Sequence, residues 1–179
     1  MKIKLVLLFS IASLCLSGCA LLLGVGNGPK GSVKNEVSIT SRHSEGKMNA
    51  VKLTCISSSY DENFLTIYLW NNTDERIFIE WENARCQSGK VVFGDDRRIT
   101  MNNAKADEAI SANSHSLTKE VTSADNIMSD DIIPLFRTKY LQDGIDQYVK
   151  IKIPVRFADG NVEEYDFDVR LYWESETPN

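Results

Sequence analysis

From residue 35 onward the chain alternates apolar and polar positions in short runs with a period of two. Val37 and Ile39 alternate with polar neighbours. Val51, Leu53 and Cys55 share one face of a second run, with Lys52 and Thr54 on the other. Phe64 to Trp70 is apolar on both faces (Leu65, Ile67 and Leu69 against Phe64, Tyr68 and Trp70), the mark of a central or doubly covered strand. Asn71-Asn72-Thr73-Asp74 has turn chemistry, because such side chains bond their own backbone. Ile77, Ile79 and Trp81 then alternate with Phe78, Glu80 and Glu82. A hairpin centred near Thr73 sets Leu69 opposite Ile77 and Leu65 opposite Trp81.

Further on, Val91-Val92-Phe93 is a short strand after a Gln87-Ser88-Gly89-Lys90 turn, and Asp95-Asp96-Arg97-Arg98 interrupts it before Ile99 to Met101. Asn102 to Asn113 is expected as a surface loop or one helical turn, and Leu117 to Val121 as an edge strand. Phe136, Tyr140, Leu141 and Ile145 have the spacing of one helical face, which Pro134 could open. The last hairpin is the most sharply defined. A three-residue loop, Ala158-Asp159-Gly160, with Gly160 left-handed, pairs Ile153 with Tyr165 and Ile151 with Phe167. It also sets Lys152 across from Asp166 and Lys150 across from Asp168, so the charged face points to solvent. Six to eight short strands with little helix indicate an all-β fold, an immunoglobulin-like antiparallel β-sandwich, with a small antiparallel barrel as the alternative.

The amino end breaks this pattern. Lys2 and Lys4 precede an apolar run, Leu5 to Leu14, which ends in Leu16-Ser17-Gly18-Cys19. A positive end, a short apolar core and small residues at a cleavage site form a secretory signal. The ending resembles the lipobox of bacterial lipoproteins. The resemblance implies cleavage between Gly18 and Cys19, a diacylglycerol on the Cys19 thiol and a palmitate-type acyl chain on its new amino group. It implies no other cofactor. The expected organisation is a signal peptide at 1–18, a lipidated cysteine and flexible tether at 19–34, a β-sandwich domain at 35–175 and a tail at 176–179. A single uncleaved membrane helix from Leu5 to Gly26 is the rival reading. Ala20, where aspartate favours inner-membrane retention in enteric-type bacteria, points by the same resemblance to the outer membrane, with the domain facing the periplasm.

Charge narrows the partners. The chain carries a formal net charge of −5. Without residues 1–18 it has 18 basic against 25 acidic residues, a balance of −7. Nucleic acid is a poor fit, since phosphates require a Lys/Arg-rich face. Attachment to the membrane then falls to the lipid. Cys15 leaves with the signal and Cys19 is lipidated, so Cys55 and Cys86 remain. In an oxidising compartment a disulfide between them is expected, with two separate buried thiols as the alternative.

No constellation for catalysis stands out. His43 and His115 lie in polar, loop-like contexts beside Ser44 and Ser114, and are expected as surface histidines. No His/Cys spacing suits a metal, and no phosphate-binding glycine loop follows a strand. The carboxylate pairs Asp95-Asp96, Asp130-Asp131, Glu163-Glu164 and Asp143/Asp146 are expected as solvated surface. Tyr148 and Tyr172 on the charged face of the last hairpin are candidate partner-binding residues. Tyr68, Trp70 and Phe78 are expected as a second layer of core, with a protein-binding patch as the alternative.

Leu65 to Trp81 also looks like small bacterial lipoproteins of unassigned function with immunoglobulin-like domains, a resemblance that carries no catalytic residue with it. The expected function is therefore a lipid-anchored envelope protein whose non-catalytic β-domain binds an envelope protein or supports an envelope assembly. A ligand-binding or hydrolase-inhibitor lipoprotein of the periplasm is the alternative.

Overall fold

The computed structural model describes residues 30–44, 46–94, 105–128 and 131–176. Gly18, Cys19 and the rest of the signal and lipobox lie outside the described residues, as do Asp95, Asp96 and Asp130. Among the described residues the chain is an antiparallel all-β structure, with one short helix and two single 3₁₀ turns.

The strands are β1 (Gly31–Ile39), β2 (Val51–Ser58), β3 (Asp61–Asn71), β4 (Ile77–Ile79), β5 (Arg85–Cys86), β6 (Gly89–Phe93) and β7 (Glu108–Ile110). They continue with β8 (Ser114–His115), β9 (Lys119–Ser123), β10 (Ile127–Met128), β11 (Asp131–Ile132), β12 (Gln147–Arg156) and β13 (Val162–Ser175). The helix α1 is Thr138–Gln142. The main sheet runs β1-β13-β12-β5-β6-β9-β3-β2, with β4 on β12, β7 on β4 and β8 on β3. β1, β13, β12 and β4 form one layer, and β9, β3 and β2 the other. The β5–β6 pair carries the sheet from the first layer into the second.

The result is a curled half-barrel, not two detached sheets. Its free edges, β1 and β2, meet through a side-chain hydrogen bond, Asn35 Nδ2 to Ser57 Oγ at 3.2 Å. Between them lies a groove of about 300 Å³ lined by Val37, Ile39, Leu53, Cys55 and Phe167, where the barrel stays open. β1 begins at Gly31, within the stretch expected as tether. Gly31 lies so close to the Trp173 indole and the Glu174 carbonyl that a side chain there would clash with both.

Inward positions of every long strand supply the core. Val149, Ile151, Ile153 and Val155 of β12 face Tyr165, Phe167, Val169 and Leu171 of β13, with Leu53, Leu65, Ile67 and Leu69 on the other layer. Burying each such side chain stabilises by roughly 1.5–3 kcal/mol relative to exposure. The last hairpin has the expected register, with Ile153 opposite Tyr165, Ile151 opposite Phe167 and Gly160 at φ +84°. Lys152 bridges to Glu164 at 3.1 Å and to Asp166 at 3.5 Å.

Several expectations need correction. β3 and β4 do not form a hairpin: β3 pairs with β2, β8 and β9, while β4 pairs with β12 and β7. The turn after Asn71 carries the chain from one layer to the other. Asn71, fully buried, holds that crossing together. Its amide donates to the carbonyls of Glu75 at 2.7 Å and Ser111 at 2.9 Å, and its oxygen accepts from Thr73 N at 3.0 Å and Thr73 Oγ1 at 2.7 Å. β9 is not an edge, since it lies between β3 and β6. Glu108–Ile110, expected as loop, is strand β7. The expected helical face breaks up because α1 is only five residues long: Phe136 and Leu141 are buried, while Tyr140 and Ile145 are exposed.

Cys55 and Cys86 lie in the same core as free thiols, and the bridge expected between them is not made. Cys86 is fully buried and Cys55 lines the β1–β2 groove, and each fills space in the core as a small apolar side chain. Burial pushes both thiols up to about 12, and for Cys86 the nearby Cys55 adds to the effect.

Candidate functional site

Alternation along β12 and β13 leaves one face of the first layer for solvent. Tyr148, Lys150, Lys152 and Arg156 project from β12, and Glu164, Asp166, Asp168, Arg170 and Tyr172 from β13. Beside them the chain leaves β4 through a 3₁₀ turn, Trp81–Asn83, and rejoins β12 at β5. That detour leaves an open groove of about 770 Å³, whose lining includes Glu80, Arg85, Gln87, Lys150, Lys152 and Asp168. Gln87 ties the groove to the strand beneath, its backbone N–H reaching the Lys150 carbonyl at 2.7 Å and its side chain the Tyr148 carbonyl at 3.2 Å.

The two tyrosines picked out by sequence lie on this face. Tyr148 pairs with Arg170 across the hairpin, which makes Tyr172 its diagonal neighbour. Tyr148 is 56% exposed. The Arg170 guanidinium lies 5.0 Å from the Tyr172 ring centroid and bridges to Asp146 at 2.7 Å and to Glu36 at 2.9 Å. Tyr172 is thus held against a fixed cation, and Tyr148 stands opposite that arginine in the ladder, two residues beyond the groove-lining Lys150.

Charges on this face are partly consumed internally. The Glu164 hydrogen bond, followed by the Asp166 charge, raises Lys152 above its ordinary value. Arg156 is held by Glu80 and Asp107. Glu164 and Asp146, expected as solvated carboxylates, are therefore engaged in ion pairs, as is Asp143 with Lys139 at 3.5 Å.

The opposite layer has a second aromatic surface. Tyr68 and Trp70 project outward from β3 and are half-buried, not second-layer core, and His115 of β8 packs against both at 5.5 and 4.9 Å between ring centroids. Phe78 is also half-buried, with the Arg156 guanidinium 4.8 Å from its ring centroid. These rings cover the outside of their strands and leave the inside to aliphatic residues.

His43 is not a free surface histidine. Its side chain is fully buried, and its ring stacks on Tyr165 at 4.0 Å between centroids and 22° between planes. Nε2 lies 2.7 Å from Ser41 Oγ, and Nδ1 lies 3.2 Å from Glu163 Oε2. Ser44 donates to the other Glu163 oxygen at 2.5 Å. The Ser44 hydroxyl, followed by His43, holds the Glu163 carboxyl below its usual range.

A serine, a histidine and a carboxylate in this order resemble a nucleophile, its base and the group that orients the base. Two features make it a latch instead. The His43 side chain has no exposed surface, so no leaving group can reach Nε2 to take a proton. The Ser41 hydroxyl oxygen is also the acceptor for the backbone N–H of Asp166 at 2.9 Å. The cluster fastens the β1–β2 connection onto the last hairpin. Tyr165 extends the latch by donating to the Lys47 carbonyl at 2.6 Å, and the Lys47 ammonium lies 3.6 Å from the Phe157 ring centroid. No local spacing reveals it, because Glu163 is 120 residues from His43.

Among the described residues no group of three His, Cys, Asp or Glu could hold a metal ion. No helix among them is long and apolar enough to cross a membrane. No protein-family model matches the chain, and no match to it is found among curated proteins or solved structures.

Proposed function

We propose that this chain is a lipid-anchored protein of the bacterial cell envelope, attached through Cys19, whose β-domain binds another protein through the groove face of the β12–β13 hairpin. The observation that carries the binding part is the 770 Å³ groove flanked by exposed Tyr148 and by Tyr172 beside Arg170. An open polar groove with aromatic residues beside it is the composition of a protein-binding surface, where Tyr and Arg supply anchoring contacts. The Leu16-Ser17-Gly18-Cys19 stretch and Ala20 support the anchor and the outer membrane. On this reading the domain faces the periplasm and works as a binding module.

The reading is tested by in-cell photo-crosslinking, with the photoreactive residue at Tyr148 or, as a control on the opposite layer, at Ile56, which is 54% exposed. A discrete adduct from position 148 and none from position 56 is the expected result. Equal labelling from both positions contradicts the assignment of the face.

A further inference from the structure

We propose that the Arg85–Lys150 end of the groove takes a carboxylate side chain from an extended acidic segment of the partner protein. The proposal rests on the partner-binding reading above and specifies what part of the partner this site holds.

The groove lining carries Glu80, Glu164, Asp166 and Asp168 beside Arg85, Lys150 and Lys152, but Glu164 and Asp166 are engaged by Lys152 and Glu80 by Arg156. Lys152, Arg156 and Arg170 on this face each bridge two carboxylates. Arg85 and Lys150 have no carboxylate within ion-pair distance among the described residues. The hydrogen bond of the Arg85 guanidinium goes to the carbonyl of its own neighbour, Ala84, at 3.2 Å. Arg85 also stands directly opposite Lys152 in the β5–β12 ladder. Like charges facing each other across a ladder are unfavourable, and Glu164 and Asp166 relieve only the Lys152 side.

An external anion relieves both cations. The planar guanidinium of Arg85 suits two-point binding of a carboxylate, with Lys150 as a second charge. Asp168 decides what kind of anion fits. It faces Lys150 across the hairpin without an ion pair, so it disfavours an anion that has no N–H to offer, such as inorganic phosphate, yet can accept a backbone N–H from a peptide. An extended peptide supplies an acidic side chain for Arg85 and Lys150 together with an N–H for Asp168. The groove volume lies within the range of sites that enclose a ligand of a few residues.

Fluorescence anisotropy of the purified full chain with a labelled hexaglutamate peptide tests this at low ionic strength. Saturable binding is expected, with an uncharged hexaserine peptide failing to bind and added salt weakening the complex. Arg85→Gln and Lys150→Gln should each weaken binding about tenfold, the loss of a hydrogen bond to a charged group. Trp70→Ala, on the opposite layer, should leave it unchanged. Lys150 is exposed, so its variant carries the test even if Arg85→Gln disturbs folding.

Unchanged affinity in Lys150→Gln, equal binding of hexaserine, or displacement by inorganic phosphate but not by acetate at matched ionic strength overturns the proposal. The two readings fail separately. A Tyr148 crosslink that survives in Lys150→Gln leaves the partner-binding face standing and removes the carboxylate site. Hexaglutamate binding without a Tyr148 crosslink does the reverse.

Discussion

Replacing His43 by alanine should destabilise the domain, although His43 belongs to a connection between strands. The side chain is fully buried and makes two hydrogen bonds, at 2.7 Å to Ser41 and 3.2 Å to Glu163. Each contributes about 1 kcal/mol. Its stack on Tyr165 adds about 0.5–1.5 kcal/mol, and the emptied space adds to the loss. The expected cost is about 2–4 kcal/mol, which for a domain of this size lowers Tm by roughly 5–12 °C. Urea and thermal melts of the chain from Ala20 onward measure it. Glu163→Gln should be non-additive with His43→Ala, since both changes break one contact.

Glu163→Gln also has a pH signature. The folded-state pKa of Glu163 is depressed, so its stabilisation is present above the ordinary carboxylate value and lost as pH falls below it. The variant should therefore show a shallower loss of stability on the acid side. A His43→Ala chain within about 0.5 kcal/mol of the parent refutes the latch. So does a hydrolytic activity lost in Ser41→Ala with the melt unchanged, which would restore the reading of a catalytic relay.

Three further outcomes follow from the same contacts. Asn71→Ala removes the side chain that holds the crossing between layers and takes the amide donor from the carbonyls of Glu75, Ile110 and Ser111, so a loss of about 3 kcal/mol in urea melts is expected. Cys55 and Cys86 have folded pKa values raised from 9.0 to about 12, so their contribution is whole below pH 9 and declines as pH rises from 9 toward 12. The parent should lose up to about 1.4 kcal/mol per pH unit per thiol in that window, and Cys55→Ala/Cys86→Ala should lose less; identical slopes contradict the burial of the thiols. Gly160→Ala meets no neighbouring atom yet must adopt φ +84°, so about 1 kcal/mol of loss is expected from the backbone alone.

The last hairpin was legible because three local signals agree there: strict alternation, a glycine where the loop needs positive φ, and opposite charges falling into facing positions. The β3–β4 link was not. Turn chemistry at Asn71-Asn72-Thr73-Asp74 shows that the chain changes direction, but not that it lands in the other layer. The choice is made by Asn71, which joins its own turn to the backbone of Ser111 forty residues away. The outward aromatics of β3 misled for a related reason. Alternation separates two faces but does not say whether a second layer covers the outer one, and Tyr68 and Trp70, half-buried, pack against each other and His115.

The candidate sites divide in the same way. Tyr148 and Tyr172 could be placed on one face by period alone. Arg85 becomes part of the groove only because β5 returns to β12 after a detour, and His43 only because the latch spans the chain. Cys55 and Cys86 share a core as free buried thiols, the alternative to the expected bridge. Cysteine count and compartment favour a bridge, while the bond itself depends on geometry that sequence does not carry.

The central claim is the lipid anchor at Cys19, and mass spectrometry of the amino-terminal peptide from membrane-extracted protein tests it most directly. The predicted peptide begins at Cys19 and carries the mass of a thioether-linked diacylglycerol plus an amide-linked acyl chain. A peptide that retains residues 1–18 with Cys19 unmodified would contradict it.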